Sequence, residues 1–350
     1  MKRAPGVREI PDLDSPEFQH GDTQPAVQSA KDLVLVAVFS RTLKSAKAIA
    51  DAVPNVVDLY SEDSDKGYDE LLKRSDVDAI IMSLPIKNQV AYIRSALLAG
   101  KHVLSEKPVC ENIQDAEDMI KWYRSEIKGP SWSIAENWRF LKSYEYAREE
   151  IKSMGRILGF QGRQHALVEQ TGKFYQTEWR KNPTHQGGYL LDGGVHYMAG
   201  LRQLLESQPG NHIVRLSAFT NQLREYLPPA DTINAVLKTK SGITGTFQLS
   251  VGTSLREDSW TVSCEGGWIT VEDSELTICR DGVVTKKTVQ NERTGVPPEV
   301  RAWGEGLAAG KAPKEQEPEA ALADLELIEL MLRSGESGGA PMDCVHQEVI

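Results

Sequence analysis

In the first third of the chain, hydrophobic residues come in short unbroken runs. Leu33-Val-Leu-Val-Ala-Val-Phe39 is apolar throughout, and so is Ala79-Ile-Ile-Met82. Such runs predict parallel strands covered on both faces by helices, because each face of the strand then meets an apolar layer. Between them, apolar residues recur at helical spacing. Thr42 offers an N-cap for a helix over 44–52. Asn88 does so for one in which Val90, Ile93 and Leu97 share a face before Gly100 stops it, and Asn112 for one reaching about Glu126. His102-Val-Leu104 and Ser133-Ile-Ala135 add two strands, so residues 33–126 predict the repeated βα units of a doubly wound sheet.

Further on, the period changes to two. The segments 214–219, 232–239, 244–251 and 259–265 alternate and follow one another with few helices between, which predicts an antiparallel sheet and hence a second domain. Residues 319–332 predict a terminal helix with Gly335 as its stop, and 310–318 a charged loop. A length of 350 residues also favours two domains.

Charge narrows the partners. Fifty acidic against 40 basic residues give a net charge of −10, which argues against nucleic acid and for a small-molecule substrate. Residues 1–29 hold no apolar core of signal-peptide length, and no stretch approaches ~18 consecutive apolar residues, so a cytoplasmic protein without a membrane partner is expected. Cys110, Cys264, Cys279 and Cys344 lie far apart, without metal-site or disulfide-scaffold spacing, and read as free thiols with no metal site.

Three groupings can carry chemistry. Ser105-Glu106-Lys107-Pro108 follows a predicted strand at the sheet end where open α/β sheets bind ligands. A lysine there can donate to a substrate oxygen or move a proton, although Lys-Pro also describes a surface turn. Asp192 and His196, within Gly187-Gly-Tyr-Leu-Leu-Asp-Gly-Gly-Val-His196, share one face if the segment is helical. An Asp beside a His fixes its tautomer and suits general acid/base work; the plainer alternative is a helix-start carboxylate and a core histidine. Ser40-Arg41, after the first run, can hold the 2′-phosphate of NADP or be a solvated turn. Trp132, Trp138, Trp179 and Tyr189 can stack on a ring or simply fill a core.

Taken together, Leu-Pro85, Lys-His-Val-Leu-Ser-Glu-Lys-Pro108, Ala-Glu-Asn-Trp-Arg139, Trp179-Arg180, the Gly187–His196 segment and Gly-Gly-Trp-Ile-Thr-Val271 resemble the Gfo/Idh/MocA oxidoreductases from about residue 18 to the end. The resemblance implies a Rossmann-like domain over 18–137 and an open-faced antiparallel domain over 138–350, after an atypical segment 1–17. It implies NADP, or NAD, between the two domains. Lys107, Asp192 and His196 would form the proton relay. Ser40, Arg41, Leu84, Pro85, Asn88, Glu106, Lys107, Trp179 and Arg180 would line the cofactor cleft. The resemblance also allows a homodimer through the outer face of the second sheet.

The start departs from the family pattern. Where a strand and a G-x-G-x-x-G turn are expected, residues 5–23 carry glycine only at Gly6 and Gly21 and proline at Pro5, Pro11 and Pro16. The expectation is a sheet whose first strand is missing and a weakened cofactor site, from either an altered start or a dinucleotide given up. An NADP-dependent oxidoreductase acting on a carbonyl or secondary alcohol leads. A non-redox isomerase, dehydratase or cyclase using the same cleft is the alternative, and a sensor of the same fold the third.

Overall fold

The computed structural model describes residues 6–10, 23–172 and 174–348. The amino-terminal half alternates strand and helix: β1 Gly6–Ile10, α1 Thr23–Ser29, β2 Val34–Ser40, α2 Leu43–Ala50, β3 Asp58–Ser61, α3 Tyr68–Leu72, β4 Ala79–Met82, α4 Ile86–Leu98, β5 His102–Glu106, α5 Ile113–Glu126 and β6 Trp132–Ala135. All pairings are parallel, in the order β3-β2-β1-β4-β5-β6. The winding therefore reverses between β1 and β4, which opens a crevice at the carboxyl ends of the strands.

The expectation of a missing first strand is corrected. Gly6–Ile10 fills the centre of the sheet, pairing with both β2 and β4. Its sequence, Gly-Val-Arg-Glu-Ile, is too short and too charged to stand out as a buried run. The turn that would hold the family's glycines falls on residues 11–22, outside the described residues.

A 3-10 turn, Asn137–Phe140, leads into α6 Lys142–Lys152, β7 Ile157–His165, the short α7 Glu178–Lys181 and α8 Gly188–Leu205. Strands β8 Ile213–Asn221, β9 Thr232–Thr239, β10 Thr244–Ser250, β11 Glu257–Cys264, β12 Gly267–Glu272, β13 Glu275–Arg280 and β14 Val283–Thr288 follow. The chain then runs through α9 Val296–Ala309 and α10 Pro318–Glu336 to β15 Met342–Asp343. The second sheet has the order β14-β13-β12-β11-β7-β10-β9-β8-β15 and is antiparallel except where β10 runs parallel to β7.

Packing ties the halves together. One apolar core runs from the first sheet through α5 to α8, α10 and the inner face of the second sheet. A second core covers the other face of the first sheet, where Trp303 of α9 packs among Ala26, Leu33, Val38 and Leu104. Glu329 of α10 accepts the Ile113 backbone N–H at 2.6 Å, so α10 helps Asn112 to cap α5.

Three further boundaries differ from expectation. α4 starts at Ile86 with Pro85 as its N-cap, so Asn88 lies within the first turn. β5 continues to Glu106, which leaves Lys107 as the first residue beyond the strand. α10 runs through Gly335, because that glycine lets Thr220 of β8 approach where a Cβ would collide; the chain turns instead at Gly338 and Gly339, with φ of 66° and 88°. Among the described residues no helix is long and apolar enough to cross a membrane, and no cluster of three His, Cys, Asp or Glu side chains is placed to hold a metal.

Candidate active site

The end of β5 faces the first turns of α8, and this juxtaposition builds the site. Lys107 Nζ donates to Asp192 Oδ1 at 2.8 Å and to the Asp192 carbonyl at 2.7 Å, across 85 residues of sequence. Arg180, from α7, donates through Nε to Asp192 Oδ2 at 2.9 Å. Both carboxylate oxygens are thus occupied by cations. Burial alone would raise the Asp192 carboxyl, but Lys107 and Arg180 hold it far below the usual carboxylate range. Asp192 is a fixed anion that locates Lys107.

His196, one turn further along α8, has a different partner. Its Nδ1 lies 2.7 Å from Glu136 Oε1, at the end of β6. The expected pairing of Asp192 with His196 is corrected: the two share a helix face, but each reaches across to another element. Burial would raise the Glu136 carboxyl, yet His196, Arg139 and Lys107 bring it below its ordinary value. An ionised Glu136 fixes the proton on Nδ1 and leaves Nε2 for proton exchange. Trp138 lies almost parallel to the imidazole, 6.3 Å between centroids at 16°, and restricts its tilt. Glu136 was not singled out from sequence. The signal that could have found it is an acid ending a buried strand, Trp-Ser-Ile-Ala-Glu136.

Glu106 is half-buried beside this pair. Burial raises its carboxyl first, with Glu136 and Asp192 adding to the rise and Lys107 and His196 opposing it. Trp179 packs next to Arg180, whose guanidinium carbon lies 4.2 Å from its ring centroid.

The other cleft residues follow the edges of β2 and β4. Ser40 ends β2 and is fully buried, with an Oγ that has no hydrogen-bond partner; Arg41 beside it is exposed. Ser83, just after β4, likewise buries an unpartnered Oγ. Leu84 and Pro85 are half-buried and Asn88 exposed at the start of α4. Gln89, which sequence reasoning missed, is buried with both amide atoms unpartnered. Bare buried polar atoms are costly, and a row of them beside the point where the winding reverses fits a polar ligand lying across the strand ends.

A parallel sheet with a ligand crevice, joined to an open sheet whose helix brings an imidazole to the strand ends, is the two-domain arrangement of a dinucleotide-binding fold with its ligand cleft between the domains. Residues 18–128 match the oxidoreductase family with an NAD-binding Rossmann fold, and residues 144–270 match the GFO/IDH/MocA C-terminal domain. The chain belongs to the Gfo/Idh/MocA family of NAD(P)-dependent oxidoreductases. It is 34% identical over 325 residues to dehydrogenase FPY6 of Fusarium mangiferae, covering 90% of this chain and 93% of that one. It is 26% identical over 332 residues to D-xylose 1-dehydrogenase (NADP(+)) 2 of Haloferax volcanii, covering 90% and 94%. Among solved structures, an oxidoreductase from Thermotoga maritima superposes with a TM-score of 0.85 at 25% identity, covering 98% of this chain and 99% of that one.

Proposed function

We propose that the chain is an NADP-preferring oxidoreductase that interconverts a carbonyl and a secondary alcohol on a small polyhydroxylated molecule, with Lys107 and His196 exchanging the proton. The carrying observation is that Lys107, just after β5, and His196, on α8, are each held by a carboxylate, Asp192 at 2.8 Å and Glu136 at 2.7 Å. The haloarchaeal relative's sugar substrate and NADP(+) support the choice of substrate class and cofactor.

The bare hydroxyls of Ser40 and Ser83 and the amide of Gln89 fit a dinucleotide. Ser40 and Arg41 would hold the adenosine ribose and its 2′-phosphate, and Leu84, Pro85, Asn88, Glu106 and Trp179 would line its path. When bound, the cofactor supplies or accepts the hydride. In the reducing direction Lys107 Nζ donates a hydrogen bond to the substrate oxygen, and the proton that completes the alcohol comes from Lys107 or His196 Nε2. Arg180, committed to Asp192, keeps that carboxylate from taking the proton itself.

The test is calorimetric titration of the purified chain with NADPH and NADH, followed by reduction assays on aldoses, ketoses and inosones. NADPH is expected to bind in the micromolar range. Arg41→Ala should weaken NADPH about 10–100-fold, or roughly 1.4–2.8 kcal/mol, and leave NADH nearly unchanged. Equal weakening of both would discard the 2′-phosphate contact, and no turnover of any carbonyl would discard the reaction.

A further inference from the structure

The glycines of α8 differ in what surrounds them. A Cβ on Gly188, Gly194 or Gly200 would lie 2.5, 2.7 or 2.8 Å from an atom of Pro228, Ile328 or Tyr144. At Gly193, outside the backbone of the helix itself, it would meet only Tyr197 within 4 Å among the described residues, with Cε2 at 3.8 Å and the hydroxyl oxygen at 3.9 Å. Gly193 is half-buried and directly follows Asp192. Room therefore opens on α8 beside the carboxylate that locates Lys107, and the Tyr197 hydroxyl borders it. Side chains four apart share a helix face, so Gly193 and Tyr197 line the strip next to Asp192 and His196.

The ring that carries this hydroxyl is fixed from two sides. Trp138, the indole stacked on His196, meets Tyr197 edge-on, with centroids 5.1 Å apart at 79°. Trp260 lies nearly parallel to Tyr197, at 6.0 Å and 25°. Trp260 is fully buried, and its Nε1 donates to Asp258 Oδ1 at 2.7 Å. One indole thus sets the spacing between the imidazole and the phenol. Burial first, then Asp258 and Asp192, pushes the Tyr197 phenol up, so it keeps its proton at neutral pH. A neutral phenol donates one hydrogen bond and accepts another, which matches what an alcohol oxygen offers.

On the reading of the site as one for a polyhydroxylated carbonyl or alcohol, we propose that Tyr197 is a specificity-determining residue: the substrate lies over Gly193, and the Tyr197 hydroxyl bonds the hydroxyl on the carbon next to the one that Lys107 and His196 serve. Glycine at 193 leaves space for that carbon, and alanine would fill it with a methyl group. A substrate without the neighbouring hydroxyl loses the contact and keeps the proton exchange.

The test compares, on the full chain, the aldose, ketose or inosone turned over fastest with its analogue deoxygenated at the neighbouring carbon. The unaltered chain should prefer the hydroxylated substrate about 10-fold in kcat/KM, as one net hydrogen bond allows. Tyr197→Phe keeps the ring and its stacking and should bring that ratio close to one, chiefly through KM. Gly193→Ala should raise KM for both compounds about 10-fold with no loss of stability. An unchanged ratio in Tyr197→Phe overturns the proposal, and so does an unraised KM in Gly193→Ala. Where nothing turns over, xylitol titrated into the chain with NADP+ present, followed by the fluorescence of Trp138 and Trp260, makes the same comparison. Binding weakened about 10-fold by Tyr197→Phe supports the contact, and an unchanged midpoint overturns it. Neither turnover nor xylitol binding in the unaltered chain removes the polyhydroxylated substrate and Tyr197 with it, whereas turnover with an unchanged ratio removes only Tyr197.

Discussion

At the scale of single residues, the site is a set of charges fixed before any substrate arrives. Asp192 is the clearest case, since its ionised form is held by two cations at 2.8 and 2.9 Å and its side chain is 13% exposed. Asp192→Asn leaves Lys107 and Arg180 facing a neutral amide, and a loss of about 3 kcal/mol at pH 7 is expected in urea unfolding. Because the folded-state carboxyl titrates below its unfolded value, this stabilisation is present above the unfolded pKa and is lost as pH falls through the folded one. The gap between the unaltered chain and Asp192→Asn should therefore stay level from pH 8 to about 5 and narrow below about 4. Narrowing between pH 8 and 6 would mean that the carboxylate is not held as described. Lys107, Asp192 and His196 were legible in the sequence because each sits in a word of unusual composition beside a predicted strand or helix. Their pairings were not, since Glu136 and Arg180 reach α8 from the end of β6 and from α7, and helical spacing reports only which side chains share a face.

Among the elements, α8 decides how precisely His196 is placed. Its glycines are contact surfaces. A Cβ on Gly200 would lie 2.8 Å from Tyr144 Cε1 and 3.0 Å from Trp138 Cε3, and Trp138 is the ring stacked on His196. Tyr144 is buried and cannot yield freely. Gly200→Ala is expected to cost about 1–3 kcal/mol and to lower kcat more than it raises KM, because the displaced indole tilts the imidazole. Gly193→Ala, on the same helix, would meet nothing nearer than 3.8 Å and should gain about 0.5–1 kcal/mol from helix propensity. Equal destabilisation by both would attribute the effect to the helix and remove the aromatic contact from the account. Strands β8 to β11 of the second sheet were readable from their alternation, and β4 from its apolar run; β7 and β12 to β15 were not singled out. β1 escaped because Arg8 and Glu9 interrupt it, and α9 because Trp303 and Gly304 form contacts with the first domain that no local period announces.

In the whole molecule, a buried charge cluster ties the chain that leaves the first sheet to the helices that back the second. Asp324 of α10, 1% exposed, accepts Arg202 Nη1 of α8 at 2.7 Å through Oδ1 and is paired through Oδ2 with Arg139, which follows β6 of the first sheet. Arg139 also donates to the carbonyls of Glu315 and Ala320, at 3.2 and 3.1 Å, so one guanidinium joins the end of the Rossmann sheet to the helix that backs the second sheet. Asp324→Ala removes the carboxylate that two buried guanidiniums share, leaving Arg202 only Glu206 at 3.1 Å, and a loss of about 3–5 kcal/mol is expected. Where that loss appears is the informative part. Since α10 packs on α5 and β6 as well as on α8 and β8, calorimetry should show a single transition displaced to lower temperature, with both domains unfolding together. Two separated transitions, only the later-sequence one displaced, would mean that the domains are stable units joined by weak contacts. The distance from Lys107 to His196 would then be set by domain closure, and the cluster at Asp324 would bear on catalysis only through it.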